Sequence, residues 1–150
     1  YMKKLLIFIM ICTSLIANDY NDAIKLYNEN NFKDAAVSFE KAANSGNIEA
    51  AYIMGYIYTG GQGVKQNLKE SLSWYTKAAA LGHTNAQINL GFMYIGGQGT
   101  KLDYKKAAYW IGKAKASGSS KAALLWDEFK LSDYMEPGVI RFTAPSAQIC

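Results

Sequence analysis

The stretch Gly60-Gly61-Gln62-Gly63 recurs 36 residues later as Gly96-Gly97-Gln98-Gly99. Recurrence at a fixed spacing of roughly 20 to 50 residues is typical of chains built from repeated structural units. The same offset relates other positions on both sides of the quoted stretch. These pairs are Gly55 and Gly91, Tyr58 and Tyr94, Trp74 and Trp110, and Lys77-Ala78 and Lys113-Ala114. The period therefore predicts a repeat architecture.

Signals for the ends of helices recur at the same spacing. Three polar residues directly precede stretches with helical apolar spacing and are predicted to be N-caps, which accept a bond from a backbone N–H: Asn31, Asn67 and Asp103. Three glycines close these stretches, where a left-handed residue ends a helix without a Cβ clash: Gly46, Gly82 and Gly118. Between the caps we expect helices of about 14 residues, for example over 68–81.

The other helix of each pair contains a glycine in its interior. These helices are predicted over 47–59 and 84–95. Their interior glycines, Gly55 and Gly91, each cost roughly 1 kcal/mol relative to alanine. We expect the paired helix to compensate by approaching closely, with Trp74 or Trp110 packing over the bare backbone.

The composition excludes several classes of function. The 150 residues carry a formal net charge of +4 and 19% charged side chains, without the concentrated basic charge of nucleic-acid-binding proteins, so no nucleic-acid partner is expected. A single histidine and two cysteines near opposite ends cannot form a zinc site or a Cys–His nucleophile pair within one chain. His83 is expected to cap carbonyls or to face solvent. Because the Gly-rich stretches lack a following Lys-Ser/Thr, we expect neither a cofactor nor a metal.

The amino-terminal segment has the layout of a secretory signal peptide. Lys3 and Lys4 precede an apolar stretch that ends at Ala17, which predicts cleavage after Ala17 and a secreted or periplasmic location. The apolar stretch, about 13 residues, is shorter than the roughly 18 that a spanning helix needs, so no stable membrane span is expected after cleavage. Cleavage would also remove Cys12 and leave Cys150 unpaired. A disulfide-linked dimer through Cys150 is one prediction, and an inert thiol is the alternative.

Residues 48–118 carry a denser pattern than the period alone. It comprises Ala50, Met54-Gly55, Tyr58, Gly61, Gly63-Val64, Trp74-Tyr75, Lys77-Ala78-Ala79 and Gly82, then Ala86, Leu90-Gly91, Met93-Tyr94, Gly97, Gly99, Asp103, Ala107, Trp110, Lys113-Ala114 and Gly118. This pattern resembles the Sel1-like repeat family of the tetratricopeptide-like superfamily, in its bacterial secreted type. The resemblance implies an all-α fold, an α-solenoid of antiparallel helix pairs with a C-terminal capping helix that covers the last apolar face.

The resemblance also implies how the chain is divided. The predicted segments are, in order, a signal peptide over 1–17, a divergent tetratricopeptide-like first repeat over 18–46, Sel1-like repeats over 47–82 and 83–118, a capping helix over 119–133, and an irregular tail over 134–150.

Two functions follow from the resemblance. Repeats of this family generally act as scaffolds, so we expect an exported scaffold that binds an unidentified protein or peptide on its concave face. Cysteine-rich secreted relatives are described as β-lactamases or penicillin binders, and a β-lactamase-like hydrolase is therefore the alternative. Ser38 and Lys41 would be catalytic in that case, since they fit a Ser-x-x-Lys pattern. About one such match is expected by chance, and the relatives' cysteine pairs are missing here, so we predict no catalytic residue.

Partner-binding residues are predicted on the first helix of each repeat, the helices that line the concave side in this family. The candidates are Tyr52, Ile53, Tyr56, Ile88, Asn89 and Phe92. Tyr52 and Tyr56 are spaced at i and i+4 and share one face of their helix, as Ile88 and Phe92 do one repeat later. Such an apolar strip would suit an extended or helical peptide. At positions 52 and 88, contact with the neighbouring repeat's helix is an equally open alternative.

Overall fold

The computed structural model describes residues 19–135, which form helices and no strand. The predicted signal peptide, the tail beyond residue 135 and Cys150 lie outside the described residues. The helices are α1 over 19–28, α2 Phe32–Asn44, α3 Ile48–Gly60, α4 Leu68–Ala80, α5 Thr84–Gly96, α6 Tyr104–Ala116 and α7 Ser120–Glu128, followed by a short 3₁₀ helix, Leu131–Tyr134.

Consecutive helices pack against one another along the chain. The most extensive contacts join α3 to α4 and α5 to α6, and further contacts join α2 to α3, α4 to α5 and α6 to α7. Because the connections between helices are short, each helix reverses the direction of the one before it. The predicted fold class is confirmed: the described chain is an all-α helical solenoid.

The second helix of each unit (α2, α4 and α6) was predicted to begin at a side-chain cap. Two of these three predictions are confirmed. Asn67 Oδ1 accepts from the backbone N–H groups of Lys69 at 3.1 Å and Glu70 at 3.2 Å, and Asp103 caps α6 in the same way. The prediction is wrong for Asn31, whose side-chain amide instead donates to Asp34 Oδ2 at 2.8 Å. The connection before Asn31 is shorter, so its backbone (ψ 66°) does not reach the extended conformation of the other two caps.

The glycines predicted to end the second helices do so. Gly46, Gly82 and Gly118 have φ of +99°, +93° and +88°, and each follows the C-cap residue of its helix. The last glycine of each Gly-rich stretch has a different role, because a Cβ on Gly63 would overlap the Phe32 carbonyl group at the start of α2. These connections therefore lie against the second helix of the preceding unit.

The interior glycines of α3 and α5 allow close helix packing, as predicted, but against different side chains. A Cβ on Gly55 would lie 2.5 Å from Tyr75 Cδ1, and one on Gly91 would lie 2.8 Å from Ile111 Cδ1. Trp74 and Trp110 were the expected partners. Each tryptophan precedes the observed partner by one residue, so it points about 100° away around the helix.

The core runs along the stack in two clusters of buried side chains. The first joins α1 to α5 and includes Phe39, Met54 and Leu90. The second joins α5, α6, α7 and the 3₁₀ helix, and includes Ile111 and Leu131. Because α5 contributes buried residues to both clusters, few of its side chains remain accessible to a partner.

Candidate functional site

The six predicted partner-binding residues do not share one exposure. Tyr56 is the most open of them at 53% relative exposure. Four others, Tyr52, Ile53, Asn89 and Phe92, are half-buried. Ile88 is 1% exposed and belongs to the second core cluster. The structure thus brings five of the six to a reachable surface of α3 and α5.

The expectation that Ile88 is exposed is wrong. Its side chain is buried in the cluster that contains Ala122 and Leu125 of α7, because this position on a first helix points toward the first helix of the next unit. Leu124 occupies the same position one repeat later and is 71% exposed; within residues 19–135, only a short 3₁₀ helix follows α7. Ile88 therefore packs between repeats, which was the alternative expectation for this position.

Tyr52 of α3, at the position equivalent to Ile88, contacts a polar side chain. Its ring stacks on the imidazole of His83, with centroids 4.3 Å apart and planes at 17°, and lies 5.8 Å from the ring of Tyr75. The ring is half-buried, so Tyr52 forms an edge of the candidate face and Tyr56 its centre.

His83 is an N-cap and not a cap of carbonyl groups, which corrects the expectation for this residue. Its Nδ1 accepts from the backbone N–H of Ala86 at 3.1 Å, so in the neutral ring Nε2 carries the proton and donates to Glu49 Oε2 at 2.9 Å. The sequence contains the signal for this role, because residues 47, 83 and 119 are spaced by 36. All three cap first helices: Asn47, His83 and Ser119.

A buried tyrosine lies beneath the candidate face. Tyr75 of α4 is 3% exposed and packs against Gly55. Burial raises the pKa of its hydroxyl above the ordinary value of 10.0; Tyr52 and Tyr56 raise it further, whereas hydrogen-bonding groups on Thr59 and Asn89 lower it. Asn89 therefore interacts with the buried layer and also reaches the surface.

The carboxyl-terminal part of the strip is partly covered. Phe92 meets the ring of Phe129 edge-on, with centroids 6.4 Å apart. Phe129 directly follows α7, so the last helix shields one side of Phe92. The open centre of the face consequently lies on α3, around Tyr56.

The residues of the alternative hydrolase, Ser38 and Lys41, lie three residues apart on α2. Lys41 Nζ lies 2.8 Å from Asp19 Oδ1 and is largely solvated, so its ammonium is paired with a carboxylate. Within residues 19–135, no group of three or more histidine, cysteine, aspartate or glutamate side chains could hold a metal ion. The described residues give the hydrolase no support.

None of the helices within 19–135 combines the length and the apolar character that crossing a bilayer requires.

Comparison with known proteins accounts for the period. The model of the Sel1 repeat matches residues 48–83 and 84–119. These spans contain α3 with α4 and α5 with α6, the two pairs with the most extensive contacts. No curated protein gives a significant match to this chain.

Solved structures of repeat proteins resemble the chain. A Sel1 repeat protein from Oxalobacter formigenes is 35% identical, with a TM-score of 0.61 over 63% of this chain and 28% of its own. The protective antigen c5321 of uropathogenic Escherichia coli, which has an SLR fold, is 28% identical, with a TM-score of 0.73 over 79% of this chain and 26% of its own. Helicobacter pylori cysteine-rich protein B is 25% identical, with a TM-score of 0.59 over 61% and 69%.

The chain covers less than a third of the length of the first two of these structures. Their similarity therefore describes the repeats and not a whole protein. Two family matches in the register of the helix pairs, together with neighbours described as Sel1 or SLR proteins, identify residues 48–119 of this chain as two Sel1-like repeats.

Proposed function

We propose that this chain is an exported scaffold that binds a protein or peptide on the concave face of its first helices, around Tyr56. The scaffold role follows from the family, because Sel1 repeats generally serve as scaffolds for protein interactions. Export, the concave face and the residues involved are the proposal. Its site is the face of α3 and α5 formed by Tyr52, Ile53, Tyr56, Asn89 and Phe92.

The exposure of Tyr56 is the observation that carries the proposal. The ring is 53% exposed, whereas Met54 and Ile57 on the same helix are buried. Large aromatic side chains are enriched at protein interfaces and often dominate binding energy there, because they bury much area at little entropic cost. Tyr56 has no comparable role in the core of the described chain.

The surroundings of Tyr56 suit a peptide. Ile53, three residues before Tyr56 on α3, and Phe92, the residue of α5 equivalent to Tyr56, are half-buried and offer apolar contact. The Asn89 amide can hydrogen-bond a partner's main chain. At the amino-terminal end of the face, Glu49 has a side chain 51% exposed, which adds a negative charge at the rim. Apolar anchors between polar groups are the usual composition of a peptide-binding groove.

Site-directed photocrosslinking tests the face. A photoreactive phenylalanine at position 56 should capture a defined partner in the cells that make this protein, and the same group at Val37, exposed at 63% on α2, should not. With the captured partner purified, Tyr56→Ala should weaken binding about tenfold or more, the loss of roughly 1.4 kcal/mol or more expected for an aromatic anchor. Val37→Ala is the matched control and should bind normally. Equal capture at both positions would contradict the proposed face.

Export needs a separate experiment, because residues 1–17 are outside the described structure. Expression of the full chain followed by fractionation should recover a processed form whose first residue is Asn18. An unprocessed chain confined to the cytoplasm would contradict export without affecting the binding face. Non-reducing electrophoresis of the exported form, with and without Cys150→Ser, would test the disulfide-linked dimer.

A further inference from the structure

We infer that α7 pairs antiparallel with the α7 helix of a second copy of this chain, in a twofold dimer centred on Leu124. Four exposed residues carry the inference: Lys121, Leu124, Asp127 and Glu128. They follow one another at helical spacing within Ser120–Glu128, so they lie within about 120° of one another around the helix. This side of the helix is called the α7 face below.

Leu124 is the apolar centre of the α7 face. It is 71% exposed, whereas the equivalent residue of α5, Ile88, is 1% exposed. Ile88 is covered by a cluster that includes Ala122 of α7, and the equivalent residue of α3, Tyr52, is partly covered by stacking on His83, the N-cap of α5. In both repeats the next unit therefore covers this position. The surface that fits over Leu124 is a further helix.

The charges of α7 oppose the dipole of the helix. Acidic side chains stabilise the positive amino-terminal end of a helix, and basic side chains stabilise its negative carboxyl-terminal end. Helices α2 and α4 follow this rule, with an acidic residue in the first turn and a lysine in the last. In α7 the first turn has no acidic residue and the last turn no basic one. Lys121 instead lies near the start of the helix, and Asp127 and Glu128 lie at its end.

These three charges are also uncompensated by neighbouring side chains. Within residues 19–135, neither Lys121 nor Asp127 nor Glu128 makes a salt bridge. The isolated helix therefore has a basic group at its positive end and two carboxylates at its negative end.

An antiparallel copy of α7 compensates both ends. In such a pair the amino-terminal end of each helix lies beside the carboxyl-terminal end of the other. Each Lys121 then faces the Asp127 and Glu128 carboxylates of the other copy, and these carboxylates lie near the positive end of the other helix. The two Leu124 side chains meet at the centre, because three residues separate Leu124 from both Lys121 and Asp127. The α7 face is thus self-complementary, as a twofold contact requires, whereas a parallel pair would bring like charges together.

The contact is small, so the dimer is weak. A helix of nine residues is about 13 Å long. Its pairing buries less than the roughly 1,200 Å² of standard interfaces, and we expect a dissociation constant on the order of 100 µM. The contact does not involve Tyr56, so the inference stands or falls independently of the proposed function.

Sedimentation equilibrium of the full chain tests the dimer. A reducing agent excludes a disulfide through Cys150, and loading concentrations from about 10 µM to 1 mM bracket the expected dissociation constant. The chain should show a reversible monomer–dimer equilibrium that weakens as salt is added. Leu124→Ser should weaken dimerisation about tenfold or more, as truncation at the centre of an interface does. Val37→Ser is the matched control, at an exposed apolar residue of α2, and should dimerise normally.

Charge reversal tests the orientation of the two helices. Lys121→Glu places like charges against Asp127 and Glu128 of the other copy and should weaken dimerisation about fivefold or more. The variant with both Asp127→Lys and Glu128→Lys should do the same. The variant with all three changes restores opposite charges across the contact and should dimerise like the native chain.

The same variants separate pairing from folding. In the dilute monomer Lys121→Glu should raise the melting temperature, because it replaces a basic residue by an acidic one in the first turn of α7. Stability and dimerisation then change in opposite directions, which a residue with only a structural role would not show.

Several outcomes would overturn the inference. One is a chain that stays monomeric up to about 1 mM, and others are native affinity in Leu124→Ser or no recovery in the triple variant. Assemblies that grow beyond a dimer would indicate a head-to-tail contact. Nuclear Overhauser contacts in the dilute monomer between the Leu124 methyl groups and residues 136–150 would show that another segment of the same chain covers the helix. Dimerisation lost in Tyr56→Ala and kept in Leu124→Ser would move the contact to the face of the first helices.

Discussion

The ring of Tyr52 on α3 stacks on that of His83, the N-cap residue of α5, at a centroid distance of 4.3 Å. The same imidazole caps α5 and hydrogen-bonds Glu49 in the first turn of α3. One side chain therefore fixes the start of one first helix relative to the other. This arrangement stabilises the geometry of the face on which Tyr56 stands.

Replacing His83 by alanine removes the cap, the stacked ring and the Glu49 contact together. Loss of an N-cap alone costs about 0.5–2 kcal/mol, so His83→Ala should lower the free energy of unfolding in urea by about 1–2 kcal/mol. His83→Asn is the matched control, because the equivalent Asn47 caps α3, and it should recover the capping contribution. Equal losses in the two variants would show that capping is not what His83 contributes.

Gly55 is required because the Tyr75 ring occupies the space of a side chain. Gly55→Val should lower the free energy of unfolding by about 1–3 kcal/mol, the usual cost of overpacking. Gly60→Ala is the control within the same helix: a Cβ there would come no closer than 3.7 Å to Gln62 Cγ, and helix propensity favours alanine by up to about 1 kcal/mol. A Gly55→Val variant as stable as the native chain would mean that the close approach is not needed.

Local sequence signals predicted the helices well. The prediction over 68–81 corresponds to α4 Leu68–Ala80, and that over 84–95 to α5 Thr84–Gly96. Caps, left-handed glycines and apolar spacing depend on interactions within a few residues, so they can be recognised in a single sequence. The capping role of His83 can likewise be recognised from the repeat column that it shares with Asn47 and Ser119.

Properties that depend on how helices are rotated against each other were not predictable. Whether Trp74 or Tyr75 covers Gly55 depends on a rotation of α4 that no local pattern specifies. The burial of Ile88 depends on α7 and α6, which pack against α5 from later in the chain.

Burial of Tyr75 predicts a loss of stability in alkaline solution. Because its pKa is raised in the folded state, above the ordinary tyrosine pKa the native chain keeps a proton that the unfolded chain has lost. The free energy of unfolding therefore falls as the pH rises through this range. Tyr75→Phe should make the fall shallower in urea titrations from pH 9 upward, although burial also raises the pKa values of Tyr20 and Tyr58. An unchanged slope would contradict the assigned cause.

Ile88 and Leu124 share one repeat column but differ in burial, at 1% and 71% exposure, so they form a matched pair. Ile88→Ala removes a fully buried side chain from the contact between α5 and α7 and should lower the free energy of unfolding by about 2–5 kcal/mol. Leu124→Ala should change it by less than about 0.5 kcal/mol, as exposed truncations do. Urea unfolding of both variants measures the difference. If Ile88→Ala were as stable as Leu124→Ala and bound the partner more weakly, Ile88 would belong to the binding face after all, and the column would not mark the contact between repeats.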